Sequence, residues 1–380
     1  MSRLYSGNAI SGYCRPPNPP IRVTNVHVRA ITDHGGRTGF DDDRGHYIVI
    51  SHACFAGRYT VIKILGEGSY GRVVEAYDKK RKSRCAIKIV RSFSEFRGDA
   101  KTEIDMLSTL AANDRQNRNK CIRLVECFDF RAHICIVTDL LGQSIFHFQK
   151  HNNQLPFPGS QIQNFARQLF ISVAFLHDLR LVHTDLKPDN VLLVNDSYHV
   201  FPYGRIAPSC LKTSNRSAPT TRVLLNSELR LIDFGLAMFS YDHRPSTVTA
   251  RPYRAPEILM SLGWSFPCDI WSIGCILVEL YTGELLFHPS DDVDQLAAIQ
   301  AFTGSYISTD LVRMAKNRDG HHAGYFDGSR LRYPNAGTSQ WSTYRVQNTK
   351  HISVWYSPDR NLDCDFANLS KESRPAYYAV

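Results

Sequence analysis

A two-lobed α+β fold, a small strand-rich lobe followed by a larger helical one, is what this sequence predicts. Three observations carry that expectation. Residues 59–90 hold three β-rich runs separated by turn signals, and 133–137 adds a fourth. Further on, Ile162, Phe165, Leu169, Phe170, Val173 and Leu176 recur at helical spacing, and Ile270–Tyr281 is apolar nearly all round. Between these patterns lies the octapeptide His183-Thr184-Asp185-Leu186-Lys187-Pro188-Asp189-Asn190, followed at once by the apolar run Val191–Val194. It therefore occupies a loop between a helix and a strand, where a rigid frame can hold reactive groups.

The bulk properties agree. The chain has 380 residues, 43% hydrophobic and 21% charged, enough to bury a large core and form two lobes with tails. A formal net charge of +9 favours acidic partners. No basic stripe interleaved with aromatics is present, so direct nucleic-acid binding is not expected. The densest basic run, Lys79-Lys80-Arg81-Lys82, reads as a solvated hairpin turn, with a nuclear-import signal as the alternative. The ten cysteines show no C-x-x-C spacing, and Cys85, Cys135 and Cys275 fall in apolar runs as reduced core residues. That usage suits the cytosol or nucleus. The N-terminus lacks the apolar stretch of a signal peptide, and the longest apolar-rich run is too short to cross a bilayer, so no membrane contact is expected.

Taken in order, residues 1–57 read as an extension, largely disordered, with the linker-type run Pro16-Pro17-Asn18-Pro19-Pro20 and an acidic lead-in, Asp41–Tyr47. Folded structure is expected from Arg58, with a first lobe over 58–138. Tyr59–Leu65 alternates as a strand, Gly66-Glu67-Gly68-Ser69-Tyr70-Gly71 follows, and Arg72–Tyr77 is a second strand. A dinucleotide-binding glycine loop would open a helix. Here a strand follows, so the expected form is a strand–loop–strand flap whose amides close over phosphates. Cys85–Val90 is a third strand carrying Lys88 inside an apolar run. A buried lysine needs a carboxylate; Glu103 fits best, with Ile104 and Leu107 on the same helix face, and Glu95 is the alternative.

Thr138-Asp139-Leu140-Leu141-Gly142 reads as the link to a second lobe over 139–335. The expected nucleotide contacts are Leu65, Gly66, Glu67, Gly68, Ser69, Tyr70, Gly71, Val73, Ala86, Lys88 with Glu103, Asp139, Leu141 and Leu192. Val73 would cap an adenine ring, backbone groups of Asp139 and Leu141 would bond it, and Leu192 would face it from below. A polar insertion spans 195–227. The strand Leu229–Ile232 ends in Asp233-Phe234-Gly235, and the polar loop Leu236–Arg254 runs to Ala255-Pro256-Glu257. Asp269 opens a helix apolar all round and needs donors, expected from the backbone of the His183 loop.

Four of these side chains suit one chemistry. Asp185 can accept a proton from an attacking hydroxyl, and Lys187 can neutralise a phosphoryl group in transfer. Asn190 and Asp233 can offer oxygens to Mg²⁺ beside the phosphates of ATP.

With these motifs in hand, the chain resembles a eukaryotic protein kinase over about 58–335 and is similar to the LAMMER (CDC-like) dual-specificity kinases. The closer match is carried by His183-Thr184-Asp185, by His133–Val137 with Leu140-Leu141-Gly142, and by Gly263-Trp264-Ser265 with Pro267-Cys268-Asp269-Ile270-Trp271. The resemblance implies a two-lobed kinase fold and γ-phosphate transfer from Mg·ATP to Ser, Thr and also Tyr hydroxyls. It further implies basic, Ser/Arg-rich splicing-type protein substrates, a monomer, and a site in the nucleus or cytoplasm. Most kinases carry arginine at the Thr184 position to pair with a phosphorylated loop. Threonine cannot make that bidentate contact, so activity is expected to depend less on loop phosphorylation. Ser246, Thr247, Thr249 and Tyr253 stay candidates for autophosphorylation.

Two departures stand out. The family's signature helix Glu-His-Leu-Ala-Met-Met-Glu-Arg-Ile-Leu-Gly appears as Asp294-Gln295-Leu296-Ala297-Ala298-Ile299-Gln300-Ala301-Phe302-Thr303-Gly304. Beyond about Asn335 the match stops. The tail 336–380 lacks helical periodicity and is expected not to be kinase-like, the mark of a truncated or alternatively spliced chain or of an error in the gene model. Glu257 would then lack its usual arginine, with Arg360 or Arg374 as unsupported substitutes. The competing expectation is therefore a catalytically impaired, nucleotide-binding or dominant-negative isoform.

Overall fold

The computed structural model describes residues 12–32, 39–202, 220–242, 245–318 and 324–355. A seven-stranded sheet builds the first lobe: β1 (Arg29–Ile31), β2 (Cys54–Phe55), β3 (Tyr59–Gly68), β4 (Gly71–Asp78), β5 (Ser83–Val90), β6 (Leu124–Phe130) and β7 (His133–Asp139). Its spatial order is β1-β6-β7-β5-β4-β3-β2. Period-two alternation sets its faces. Cys85, Ile87 and Ile89 are fully buried on one side of β5, while Ala86 and Lys88 alternate with them. Between β5 and β6 the chain forms the helix α1 (Ser94–Asn113), whose Ile104, Leu107 and Leu110 join the main core.

The second lobe is helical: α2 (Ile145–His151), α3 (Gly159–Asp178), α4 (Pro256–Leu259), α5 (Pro267–Thr282), α6 (Asp292–Thr303) and α7 (Thr309–Arg318). Small strand pairs lie against these helices. β8 (Leu181–Val182) pairs with β13 (Met238–Phe239), and β9 (Val191–Leu193) with β12 (Leu229–Leu231). The insertion carries a hairpin of β10 (Tyr198–Pro202) and β11 (Thr220–Leu224). Its 203–219 part lies outside the described residues. The hairpin is not purely a surface excursion, because Leu224 is buried in the main core and Asn152 Nδ2 donates to the Arg222 carbonyl at 3.2 Å. On α3, Phe165, Leu169, Val173 and Leu176 are fully buried as the spacing predicts, but Phe170 is 37% exposed. It sits one residue past the apolar stripe. No helix among the described residues is long and apolar enough to cross a membrane.

Two expectations change. Disorder over most of 1–57, with folding from Arg58, does not describe residues 12–32 and 39–57. β1 adds in parallel to the edge of β6, β2 pairs with β3, and Tyr47 and Phe55 are buried in the first-lobe core. Linker-like composition hid this because partners on the folded domain, not local propensity, satisfy that backbone. In the tail, Gln340–Gln347 is a helix capped by Ser339, and Arg345 reaches Asp294 of α6 at 3.0 Å. Its order comes from docking, so helical periodicity in the sequence is weak. Residues 356–380, including Arg360 and Arg374, lie outside the described residues.

Candidate active site

The glycine segment forms the tip of the β3–β4 hairpin. Gly71 lies at φ +155°, and a Cβ there would stand 2.2 Å from the Ile89 carbonyl oxygen, so only glycine fits. At Gly66 and Gly68 a Cβ would meet nothing within 4 Å. Packing does not demand glycine at those two places, and the bare backbone is open to close approach by an anion. Leu65, Glu67, Ser69 and Tyr70 are exposed along the same hairpin. It is braced from outside: Arg72 reaches Glu67 at 2.7 Å and Asp42 at 2.9 Å, and donates to the Tyr47 carbonyl at 2.8 Å. The acidic lead-in thus supports the flap.

Beneath the flap, Val73 pairs with Lys88 across β4 and β5, and Ala86 faces Thr138 across β5 and β7. Lys88 Nζ donates to Glu103 Oε2 at 2.7 Å and Oε1 at 3.0 Å, and stands 3.8 Å from Asp233 Oδ1. Glu103 is the partner, not Glu95. Burial works to lower the Lys88 pKa, but the Glu103 and Asp233 carboxylates outweigh it and hold it above the usual lysine range. Burial pushes the Glu103 carboxyl up, against the pull of Lys88. At 2.7 Å the contact is an ion pair, and the lysine shift is the direction that matches it.

The link between lobes is stitched to the floor. Gly142 N donates to the Leu193 carbonyl at 2.8 Å, and Leu192 bridges to Ser144. Asp139 closes β7 opposite Cys85, its side chain 3.6 Å from Arg81, and Leu141 is half-buried beside it.

Within the octapeptide, Lys187 Nζ lies 2.6 Å from Asp185 Oδ2. Asn190 Nδ2 donates to the Asp185 carbonyl at 2.9 Å, which leaves its amide oxygen as the atom to offer a cation. The β9–β12 ladder sets Leu231 opposite Val191, and Ile232 N donates to the Asn190 carbonyl at 2.9 Å. Asn190 and Asp233 therefore leave adjacent ends of one strand pair. Among the described residues no three His, Cys, Asp or Glu side chains gather as a metal site. Two oxygen donors completed by phosphates suit magnesium, which binds few protein ligands and retains others from substrate and water.

Two residues of the site hold left-handed backbone. Thr184 sits at φ +66° and Asp233 at φ +64°. A β-branched residue in the left-handed region costs energy that neighbours must supply. Asp269, buried at the start of α5, supplies it. His183 N donates to its Oδ2 at 2.9 Å and Thr184 N to its Oδ1 at 3.0 Å, as expected, and His177 Nε2 adds a third contact at 3.0 Å. Thr184 also donates its hydroxyl to the Leu236 carbonyl at 2.8 Å.

Several contributors were not visible in the sequence. Ala250 N donates to Asp185 Oδ1 at 3.3 Å, tying the 236–254 loop to that carboxylate. Tyr253 is buried and donates its hydroxyl to Glu279 Oε2 at 2.6 Å, so it is not a free phosphate acceptor. Thr249 is buried too, whereas Ser246 and Thr247 are exposed. Burial raises the Glu257 carboxyl, and no lysine, arginine or histidine lies in ion-pair range of it among the described residues. No local pattern marks these contacts, since each joins segments far apart in the chain.

The profile of the protein kinase domain matches residues 59–318. This chain belongs to the protein kinase family. Its relatives fit the LAMMER (CDC-like) group. The kinase is 43% identical to the dual specificity protein kinase lkh1 of Schizosaccharomyces pombe, over 89% of this chain and 47% of that protein. It is 40% identical to the serine/threonine-protein kinase AFC3 of Arabidopsis thaliana, over 87% of this chain and 80% of that one. A crystallised kinase domain shares 27% identity at a TM-score of 0.74, covering 87% of this chain and 98% of its own. The kinase spans about half the length of its yeast relatives, 47% of lkh1 and 45% of KNS1 of Saccharomyces cerevisiae.

Proposed function

We propose that this kinase transfers the γ-phosphoryl group of Mg·ATP to serine and threonine, and also tyrosine, hydroxyls of protein substrates. The observation that carries the proposal is the meeting of two charged clusters at one strand pair. Lys88–Glu103 with Asp233 stands on one side, and Asp185–Lys187 with Asn190 on the other. Magnesium held by Asp233 and Asn190 would neutralise charge on the transferring phosphates. Lys88, fixed by Glu103, orients the α- and β-phosphates. The bare backbone at Gly66 and Gly68 closes over them. Val73, Ala86 and Leu192 enclose the adenine, and the Asp139 and Leu141 backbone bonds its edge. Asp185 orients the substrate hydroxyl and takes its proton as the new O–P bond forms and the bond to ADP breaks. Lys187 steadies the γ-phosphate throughout.

Likeness to the LAMMER group favours basic, Ser/Arg-rich substrates, a monomer, and a nuclear or cytoplasmic site. The test is phosphate incorporation into a basic Ser/Arg peptide by purified kinase and Mg·ATP, with Asp185→Asn as control. Incorporation falling about 10²–10⁴-fold in the variant supports the proposal. Equal incorporation by both proteins favours the impaired, nucleotide-binding isoform. Incorporation into acidic peptides alone overturns the substrate class.

A further inference from the structure

The segment before the acidic lead-in is held in an unusual way. Along α1, Asp105, Thr109 and Asn113 recur at four-residue spacing and form one polar stripe. A stretch of residues 21–26, bent at Asn25 (φ +56°), lies on that stripe and is bonded through its backbone. Asn113 Oδ1 accepts from Ile21 N at 2.9 Å, and its Nδ2 donates to the Ile21 carbonyl at 2.6 Å. Thr109 Oγ1 accepts from Val23 N at 3.0 Å. Both oxygens of Asp105 accept, from Asn25 N at 2.8 Å and Val26 N at 2.9 Å. The three side chains thus do what a neighbouring β-strand would do. The segment is anchored at both ends: β1 adds to the edge of β6, and Arg22 stacks on Phe239 at 4.1 Å. Phe239 lies just beyond the Asp233-Phe234-Gly235 turn.

The buried face of the same helix carries Glu103, one turn or less from the stripe. We propose that residues 21–31 are a clamp in cis, and that Asp105, Thr109 and Asn113 are positioning residues acting through α1 on the Lys88–Glu103 pair. The physical reason is rotational. Glu103 reaches Lys88 only while α1 keeps its angle to the sheet. Backbone bonds spread over two turns, tied to β6 on one side and Phe239 on the other, resist roll and outward swing of the helix. Apart from the Arg22 anchor, these bonds do not depend on the side chains of residues 21–26, so the sequence of the clamp carries no longer motif. The inference rests on Lys88 serving as a nucleotide contact.

The full chain can test it with Thr109→Val, Thr109→Ser, Glu103→Gln and the Thr109→Val/Glu103→Gln pair. Two readouts are used: amide hydrogen exchange across α1, and Kd for Mg·ATP. Thr109→Val is expected to speed exchange around Glu103 and weaken Mg·ATP by about fivefold or more. Thr109→Ser should restore both. In the Glu103→Gln background, Thr109→Val should add no further loss of affinity. Faster exchange with unchanged affinity, or losses that add in the pair, would show a merely structural contact and overturn the clamp. Unchanged exchange in Thr109→Val would overturn it too. Failure of the unaltered chain to bind Mg·ATP would instead sink the nucleotide-binding proposal itself.

Discussion

The two ends of α5 each carry a buried carboxylate, and they behave differently. Asp269 sits in the first turn, where free helix N–H groups favour negative charge, and three donors converge on it. Glu279 sits in the last turn, where among the described residues the Tyr253 hydroxyl donates to it. Burial, only partly offset by that hydroxyl, lifts the Glu279 pKa to about 7. One helix therefore anchors the strained Thr184 loop at one end and the 236–254 loop at the other, with unequal firmness. Burial alone does not decide what a carboxylate does; the number of donors aimed at it does.

Substitutions at the two ends should separate these roles. Asp269→Ala leaves two buried N–H groups unpaired and frees a loop held at positive φ. We expect a loss of about 3 kcal/mol in denaturant unfolding, and phosphoryl transfer lower by about 10²-fold from misplacement of Asp185. Retained activity would mean the loop holds its own shape. At the other end the effect is a pH slope. A carboxyl raised to about 7 from an ordinary 4.5 binds its proton more tightly in the folded state. The stability this contributes is fully present below pH 4.5 and is lost as pH rises through 7, roughly 3 kcal/mol in all. Glu279→Gln should flatten that part of a stability–pH curve.

Tyr253→Phe is a smaller perturbation. It removes one hydrogen bond to a charged group, about 1.5 kcal/mol above pH 7 and less below it, read by thermal melting at two pH values. Equal losses at both pH values would break the proposed link to Glu279. Smallest of all, phosphatase treatment should change activity by less than about twofold. Thr184 offers no guanidinium to a phosphorylated loop, and Tyr253 is already engaged. A large drop would show that Ser246 or Thr247 phosphorylation organises the loop by another route.

How much of this was legible is instructive element by element. The Lys88–Glu103 pair could be found because a lysine in an apolar run must have a carboxylate, and the helix face picks one. Asp269 could be matched to its donors by the same logic. Arg72 bracing Glu67 and Asp42, and Ala250 N on Asp185, could not. Arginines and backbone amides, which can always find water instead, carry no demand that the sequence displays. Residues 12–32 give no sign of their order for a related reason. Their proline-rich composition predicts no self-made structure; α1, β6, Asn119, Asp178 and Phe239 supply their partners.

From sequence alone came the strand and helix periods, the glycine flap, and the residue types needed for phosphoryl transfer, because solvent exclusion and desolvation cost act locally on pattern. Tertiary structure alone decided which distant groups share a hydrogen bond. It set Ala250 N against Asp185, gave Glu279 the Tyr253 hydroxyl, and laid residues 21–26 on the polar stripe of α1. Such contacts depend on where chain folding brings two surfaces, and a one-dimensional string carries no signal for an amide that will be met from across the domain.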